Sequence, residues 1–211
     1  MRLRFHDPLD RVTGSCYEMH DPLTGHHFLV DCGMRQGDPD ADARNRGPLP
    51  FDADALQFVA LTHAHLDHCG LIPRLYVEGF AGTVYATRET IALAKVVLRD
   101  AARQAGAPYT EMDVQRIKWH EPQRAVFGDF CPVGQDLWLR FYRTAHILGA
   151  TAVSVVWGPG PKPGDARTQR SITFSGDLGD NADGDEHAAL MRFRMHPART
   201  RFSVSDTHRR T

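Results

Sequence analysis

Residues 62–70, THAHLDHCG, directly follow the apolar run LQFVAL, which predicts a short buried strand. His63 and His65 come next in extended backbone, and they should point to the same side because side chains alternate along such a chain. Both imidazoles can then bind one metal ion. Asp67 and His68, further round the turn, can face a second ion close by. Imidazole combined with carboxylate suits zinc, and also iron or manganese.

A centre of this kind needs more ligands than one loop offers, and two later stretches could supply them. His146 lies in TAHILGA, between two predicted strands and among small residues that let backbone segments approach closely. Asp177 lies in FSGDLG, just beyond the strand predicted at 171–174. A carboxylate at a strand end with glycine on both sides of it is suited to bridging two metal ions.

The remaining pattern predicts an α/β protein in which short strands alternate with turns and helices. The predicted strands are residues 2–5, 13–19, 28–31, 57–62, 83–86, 137–143, 151–157 and 171–174. Apolar residues at three- and four-residue spacing predict a helix over 88–105, and a shorter helix is predicted over 71–77. Thr110, with an aspartate three residues later, predicts a capping box that opens another short helix. Residues 37–50, GDPDADARNRGPLP, are predicted to be a polar loop.

Composition places the chain among globular proteins without a dominant charge. Its 211 residues are 42% hydrophobic and 24% charged, and the net charge is -1. No global basic field therefore draws it towards nucleic acid, so any binding of a polyanion must come from local patches. The start has no apolar core long enough for a signal peptide, and no transmembrane run follows. We therefore expect a cytoplasmic protein that makes no membrane contact.

Three motifs in this order, HAHLDH, TAHILGA and FSGDLG, resemble the metallo-β-lactamase superfamily. VTGSCY (12–17) and LVDCG (29–33) are similar to opening strands of its β-CASP branch. That branch processes nucleic acids and includes ribonuclease J and the endonuclease of pre-mRNA 3′-end cleavage. The resemblance implies an αββα sandwich. It ends after the SGD motif, so the chain is expected to carry only the N-terminal part of that fold.

The resemblance also implies two bound zinc ions, with manganese as an alternative metal. The implied ligands are His63, His65 and His146 for the first ion, Asp67 and His68 for the second, and Asp177 as a bridge between them.

Three of the matched positions carry further roles by the same resemblance. Asp67 and His68 are the implied catalytic residues, with Asp67 placed to orient the nucleophile or take its proton. Asp31 would hydrogen-bond a ligating imidazole and so fix its orientation.

The sequence departs from the family after the SGD motif. Family members continue with the inserted β-CASP domain and later supply one more histidine to the second ion. Here residues 1–180 are predicted to be the lactamase-like domain and 181–211 a basic, weakly structured tail. Half of a sandwich leaves an apolar sheet face uncovered, so we expect a homodimer or a partner subunit.

The favoured hypothesis is a hydrolase that cuts RNA phosphodiester bonds with a metal-activated water. The sequence does not decide between RNA and DNA, or between endonuclease and exonuclease action. Two alternatives stay open: a metallo-hydrolase of small esters or thioesters, and a truncated metal-binding subunit with impaired catalysis. The candidate phosphate contacts are Arg167, Arg170, Arg192, Arg194, Arg199, Arg201, Arg209 and Arg210.

Overall fold

The computed structural model describes residues 1–6, 13–37, 39–122, 128–160, 163–165 and 167–179, together with the backbone of Ser203–Asp206. The backbone divides into two compact units, Met1–His120 and Glu121–Thr211. Each unit contains one β-sheet. No helix in the described part of the chain is long and apolar enough to cross a membrane.

The first unit contains a six-stranded sheet in which the strands lie in sequence order. The strands are β1 (Arg2–Phe5), β2 (Tyr17–Asp21), β3 (His26–Val30), β4 (Phe58–Ala60), β5 (Thr83–Tyr85) and β6 (Trp119–His120). The pairs β1–β2 and β2–β3 are antiparallel, whereas β3, β4, β5 and β6 run parallel to one another. Phe28 and Phe58 stack across β3 and β4 with their ring centroids 4.4 Å apart, and both are buried. This parallel part of the sheet carries the histidine loop at its edge.

The described residues of the first unit form five helices: α1 (Ala41–Arg46), α2 (Leu66–Cys69), α3 (Ile72–Val77), α4 (Arg88–Ala102) and α5 (Glu111–Gln115). The apolar stripe that predicted α4 is buried at Ala94, Leu98 and Ala101. The predicted capping box of α5 is also present. The Thr110 hydroxyl accepts from the Asp113 backbone N–H, and the Asp113 carboxylate accepts from the Thr110 backbone N–H.

The predicted loop at 37–50 was wrong in part, because its middle forms α1. The side chain of Asn45 attaches this polar helix to the backbone of Arg35. It accepts from the Arg35 backbone N–H at 2.9 Å and donates to the Arg35 carbonyl at 3.0 Å. The Arg74 guanidinium also donates to the Asn45 carbonyl at 2.6 Å. These contacts join residues far apart in sequence, so local composition does not reveal them. The strand predicted at 13–19 likewise forms later, at Tyr17–Asp21.

The second unit contains a five-stranded sheet in the order β11-β10-β9-β8-β7. Its strands are β7 (Cys131–Gly134), β8 (Leu137–Arg143), β9 (Thr151–Trp157), β10 (Arg170–Asp177) and β11 (Ser203–Asp206). Neighbouring strands are antiparallel except for β10 and β11, which are parallel. Apart from the backbone of β11, the predicted tail at 181–211 lies outside the described residues, so the domain boundary stays a prediction.

Candidate metal centre

The histidine loop lies at the carboxyl edge of the parallel strands in the first unit. Asp31 directly follows β3, and Thr62 and His63 follow β4, which is parallel to β3. The carboxyl ends of parallel strands meet at one edge of a sheet, which is where open α/β sheets bind their ligands. Asp31 adopts a left-handed backbone conformation, with φ of 57°. Such a conformation is strained for a residue other than glycine and is common at functional sites.

The Asp31 carboxylate is completely buried and receives three hydrogen bonds. One oxygen accepts from the Thr62 backbone N–H at 2.7 Å. The other accepts from the Thr62 hydroxyl at 2.7 Å and from His68 Nδ1 at 2.8 Å. Burial raises the pKa of Asp31 above its ordinary value, although His68 and Thr62 act in the opposite direction. Asp31 thus holds His68 by Nδ1, and the expected role of His68 as a metal ligand stays a prediction.

The same network bears on the tautomer of His63. The Thr62 hydroxyl carries one proton, which it gives to Asp31, so at 3.1 Å from His63 Nδ1 it can only accept. This arrangement favours His63 with its proton on Nδ1, which is also the nitrogen through which His68 contacts Asp31. In a neutral imidazole of this tautomer the lone pair that can bind a metal is on Nε2.

His63 and His65 point towards each other, as the alternation of side chains predicts. His63 Nε2 and His65 Nδ1 are 3.2 Å apart. Two nitrogen ligands at about 2.0–2.1 Å from a tetrahedral zinc ion are separated by about 3.3 Å, so this spacing fits two ligands of one ion. The donor set of the first unit therefore suits a metal.

Close backbone packing fixes the helix α2, which carries Asp67 and His68. A Cβ added to Gly33 would lie 1.7 Å from the Asp67 carbonyl oxygen, so only glycine fits there. That carbonyl accepts from the Ser15 backbone N–H at 2.8 Å, and the His68 carbonyl accepts from the Cys32 backbone N–H at 2.8 Å. The segment after β3 thus holds the main chain of α2, and Asp67 is 9% exposed.

The second unit contains the other two predicted ligands, His146 and Asp177. His146 Nε2 lies 3.3 Å from an Asp177 carboxylate oxygen, which again is the spacing of two ligands on one ion. Asp177 is 4% exposed and ends β10, whereas His146 lies in the turn between β8 and β9. Gly179 lets the two segments touch, since a Cβ there would lie 1.8 Å from the Ala145 carbonyl oxygen. Its backbone N–H donates to the Thr144 carbonyl at 2.9 Å.

The structure thus groups the predicted site residues within each unit. In the first unit Asp31 contacts His68, and His63 contacts both His65 and His68, with the rings of His63 and His68 4.0 Å apart. Sequence reasoning missed Thr62, which joins Asp31 to His63. It also missed the close approaches at the two glycines, although each glycine follows a predicted site residue by two positions.

Of the eight arginines that were predicted to contact phosphate, the structure describes Arg167 and Arg170. Arg167 pairs with Asp165 at 3.2 Å, and Arg170 is exposed at the start of β10. The other six arginines that were predicted to contact phosphate, between Arg192 and Arg210, lie outside the residues that the structure describes.

Comparison with known proteins identifies the family. Residues 9–186 match the metallo-β-lactamase superfamily. The chain belongs to this superfamily. The metallo-β-lactamase domain is 38% identical over 169 residues to ribonuclease TTHA0252 of Thermus thermophilus, covering 80% of this chain and 36% of the ribonuclease. It is 30% identical over 165 residues to the transcription termination factor FttA of Methanocaldococcus jannaschii, covering 76% of this chain and 26% of the factor.

These relatives place the metallo-β-lactamase domain in the β-CASP branch, as the motifs indicated. The chain spans about a third or less of the length of these curated relatives. A solved metallo-β-lactamase of Cronobacter sakazakii with a HARLDQ motif superposes with a TM-score of 0.51 at 21% identity, covering 81% of this chain and 55% of that one. This likeness confirms the α/β lactamase-type fold. Family membership and the clustered histidine and aspartate side chains support binding of a divalent metal ion.

Proposed function

We propose that this chain is the metal-binding part of a hydrolase that cleaves RNA phosphodiester bonds. The observation that carries the proposal is the pair of imidazole nitrogens of His63 and His65, 3.2 Å apart, in a domain 38% identical to a ribonuclease. The spacing suits a shared metal ion, and the similarity favours RNA as the substrate.

We propose two zinc ions with the ligands that the resemblance implies. His63, His65 and His146 would hold the first ion, Asp67 and His68 the second, and Asp177 would bridge them. Zinc is favoured because imidazole dominates the donor set, although manganese accepts the same groups. When bound, such ions supply Lewis acidity and lower the pKa of water towards neutrality.

The chain's own residues prepare this chemistry by orientation. Asp31 fixes His68 through Nδ1, so that Nε2 of that ring is presented as a ligand. Asp67 lies in the first turn of α2, one residue before His68. From there its carboxylate would orient the attacking water or accept its proton, and it is the residue whose loss should affect turnover most.

The proposed substrate brings two further proposals. RNA would be held by local cations and not by the net charge of -1, so binding should weaken steeply with salt. Because RNA is processed inside the cell, we also propose a cytoplasmic location. A homodimer or partner subunit stays a prediction, which light scattering of the purified chain tests.

The test combines metal analysis with a nuclease assay on three proteins: wild type, Asp67→Ala and Asp54→Ala. Asp54 is an exposed aspartate of the same unit and serves as the control. We expect two zinc ions per chain and cleavage of labelled single-stranded RNA by wild type and the control, with cleavage lost in Asp67→Ala.

Three results would contradict the proposal. Wild type without stoichiometric metal would refute the metal centre. Hydrolysis of a thioester panel without RNA cleavage would favour a small-ester hydrolase. Metal binding without either activity would favour the impaired metal-binding subunit.

A further inference from the structure

The side chain of Thr62 lies between the buried carboxylate of Asp31 and the imidazole of His63. Thr62 is completely buried, and its hydroxyl lies 2.7 Å from an Asp31 oxygen and 3.1 Å from His63 Nδ1. Its backbone N–H also donates to the second Asp31 oxygen at 2.7 Å. Two hydrogen bonds to one carboxylate therefore hold the hydroxyl in a fixed place.

We propose that Thr62 is a positioning residue that selects which nitrogen of His63 can bind metal. The proposal rests on the ligand role assigned to His63 under the proposed function. When ionised, the Asp31 carboxylate can only accept, so the Thr62 hydroxyl donates to it and accepts from His63. Because its proton is directed to Asp31, the Thr62 hydroxyl presents a lone pair to His63 Nδ1. His63 is thereby kept in the Nδ1–H tautomer.

The other tautomer of His63, with the proton on Nε2, also has a hydrogen-bond acceptor within reach. Without the Thr62 hydroxyl, the Nδ1–H tautomer would therefore no longer be favoured. With its proton on Nε2, His63 could donate to His65 Nδ1, which is 3.2 Å away. That arrangement would tie up both nitrogens in a hydrogen bond at the point where they should share an ion. The acceptor at Thr62 favours the Nδ1–H form, in which the lone pair of His63 Nε2 is directed towards His65 Nδ1, as it must be if the two nitrogens share an ion.

Replacing the hydroxyl with a methyl group tests this directly. Thr62→Val keeps the volume and branching of the side chain but removes the acceptor for His63 Nδ1–H. We expect the metal-free variant to shift His63 to the Nε2–H tautomer. Loss of residues that support a ligating histidine typically lowers metal affinity about 10–100-fold, and we expect a loss in that range. Thr62→Ser keeps the hydroxyl and should restore both the tautomer and the affinity.

The readouts separate positioning from a general loss of packing. Long-range ¹H–¹⁵N correlation spectra of the metal-free protein report the tautomer of His63, and competition with a chromophoric chelator reports the zinc affinity. Thr90→Val is the matched control, because Thr90 is also completely buried in the first unit and lies in α4. We expect Thr90→Val to keep the wild-type tautomer and affinity.

Two outcomes would overturn the proposal. The first is a wild-type protein in which metal-free His63 carries its proton on Nε2, a result that needs no variant to fold. The second is a folded Thr62→Val variant with the wild-type tautomer and affinity. If wild type keeps the Nδ1–H form but binds no zinc, the proposed function fails and the role of Thr62 in selecting the tautomer stands.

Discussion

The substitution Asp31→Asn should reverse the polarity of the whole buried network while changing its shape very little. The carboxylate offers two acceptor oxygens to three donors: the Thr62 N–H, the Thr62 hydroxyl and His68 Nδ1. An amide offers one acceptor and adds a donor. If the amide oxygen stays on the Thr62 N–H, its NH₂ group faces the Thr62 hydroxyl and His68. Both must then become acceptors.

Two consequences follow for the imidazoles. His68 must carry its proton on Nε2, where it can no longer ligate. The Thr62 hydroxyl, now accepting from the amide, turns its proton towards His63 Nδ1. His63 must then also change tautomer and carry its proton on Nε2. If the amide is flipped instead, its NH₂ group faces the buried Thr62 N–H, which costs about 1–3 kcal/mol as an unsatisfied donor. Neither orientation preserves the network.

The magnitude follows from the number of rings affected. Loss of one supporting partner typically lowers metal affinity about 10–100-fold. Since two histidines change tautomer, the loss of metal affinity should reach the upper part of that range. A 100-fold loss corresponds to about 2.8 kcal/mol of binding free energy. The free energy of unfolding of the metal-free protein should also fall, by about 1–3 kcal/mol, because three hydrogen bonds to a charged group become bonds to a neutral one.

Two quantities are measured for each variant. Chelator competition gives the zinc affinity, and urea denaturation gives the free energy of unfolding of the metal-free protein. Asp113→Asn is the control: Asp113 is a buried carboxylate in the capping box of α5, so its loss should lower stability while leaving affinity unchanged. An Asp31→Asn variant that binds zinc within twofold of wild type, with His68 still protonated on Nδ1, would refute the reasoning.

Three further predictions concern packing, metal and pH. Gly33→Ala should cost more stability and metal affinity than Gly47→Ala, as measured by denaturation and chelator competition, because its Cβ would lie 1.7 Å from a carbonyl oxygen compared with 3.2 Å at Gly47. Zinc at 100 times its dissociation constant should add about 2.7 kcal/mol to the free energy of unfolding, and excess chelator should remove this gain in a thermal melt. Burial lowers the pKa of His6 below its ordinary value of 6.5. Burial would raise the pKa of Glu18, but hydrogen bonds with His27 and His6 outweigh this effect and hold it below its ordinary value of 4.5. Both values are lower in the folded state, so the free energy of unfolding should fall as pH drops below 6.5 and further below 4.5, and Glu18→Gln should flatten the loss below 4.5.

The sequence revealed those parts of the site that depend on rare residue types in a fixed local order. His63 and His65 follow a buried strand in extended backbone, so their common direction follows from the alternation of side chains alone. The apolar stripe of α4 and the capping box at Thr110 were equally local, and both were predicted correctly. The family motifs then linked stretches that no periodicity could connect.

The sequence could not reveal contacts that exist only after the chain has folded. In the sequence, Thr62 is only the last residue of a predicted strand, and its role appears when folding places Asp31 beside it. Gly33 is an ordinary turn residue until α2 places a carbonyl oxygen against it. Likewise, α1 forms in a stretch rich in turn residues because Asn45 is fastened to the backbone of Arg35. In each case the deciding partner is distant in sequence.

The two strand-end carboxylates illustrate how geometry separates roles that the sequence leaves alike. Each follows or ends a strand, and each lies beside a histidine. Asp31 lies 2.8 Å from Nδ1 of His68, a hydrogen-bonding distance, and its other hydrogen bonds come from Thr62, so its carboxylate serves to orient an imidazole. Asp177 lies 3.3 Å from Nε2 of His146, the separation expected of two ligands that share an ion. Under the proposed ligand set, exchange of each aspartate for asparagine should therefore have different effects: at Asp31 the tautomers change, whereas at Asp177 the charge offered to a metal is lost.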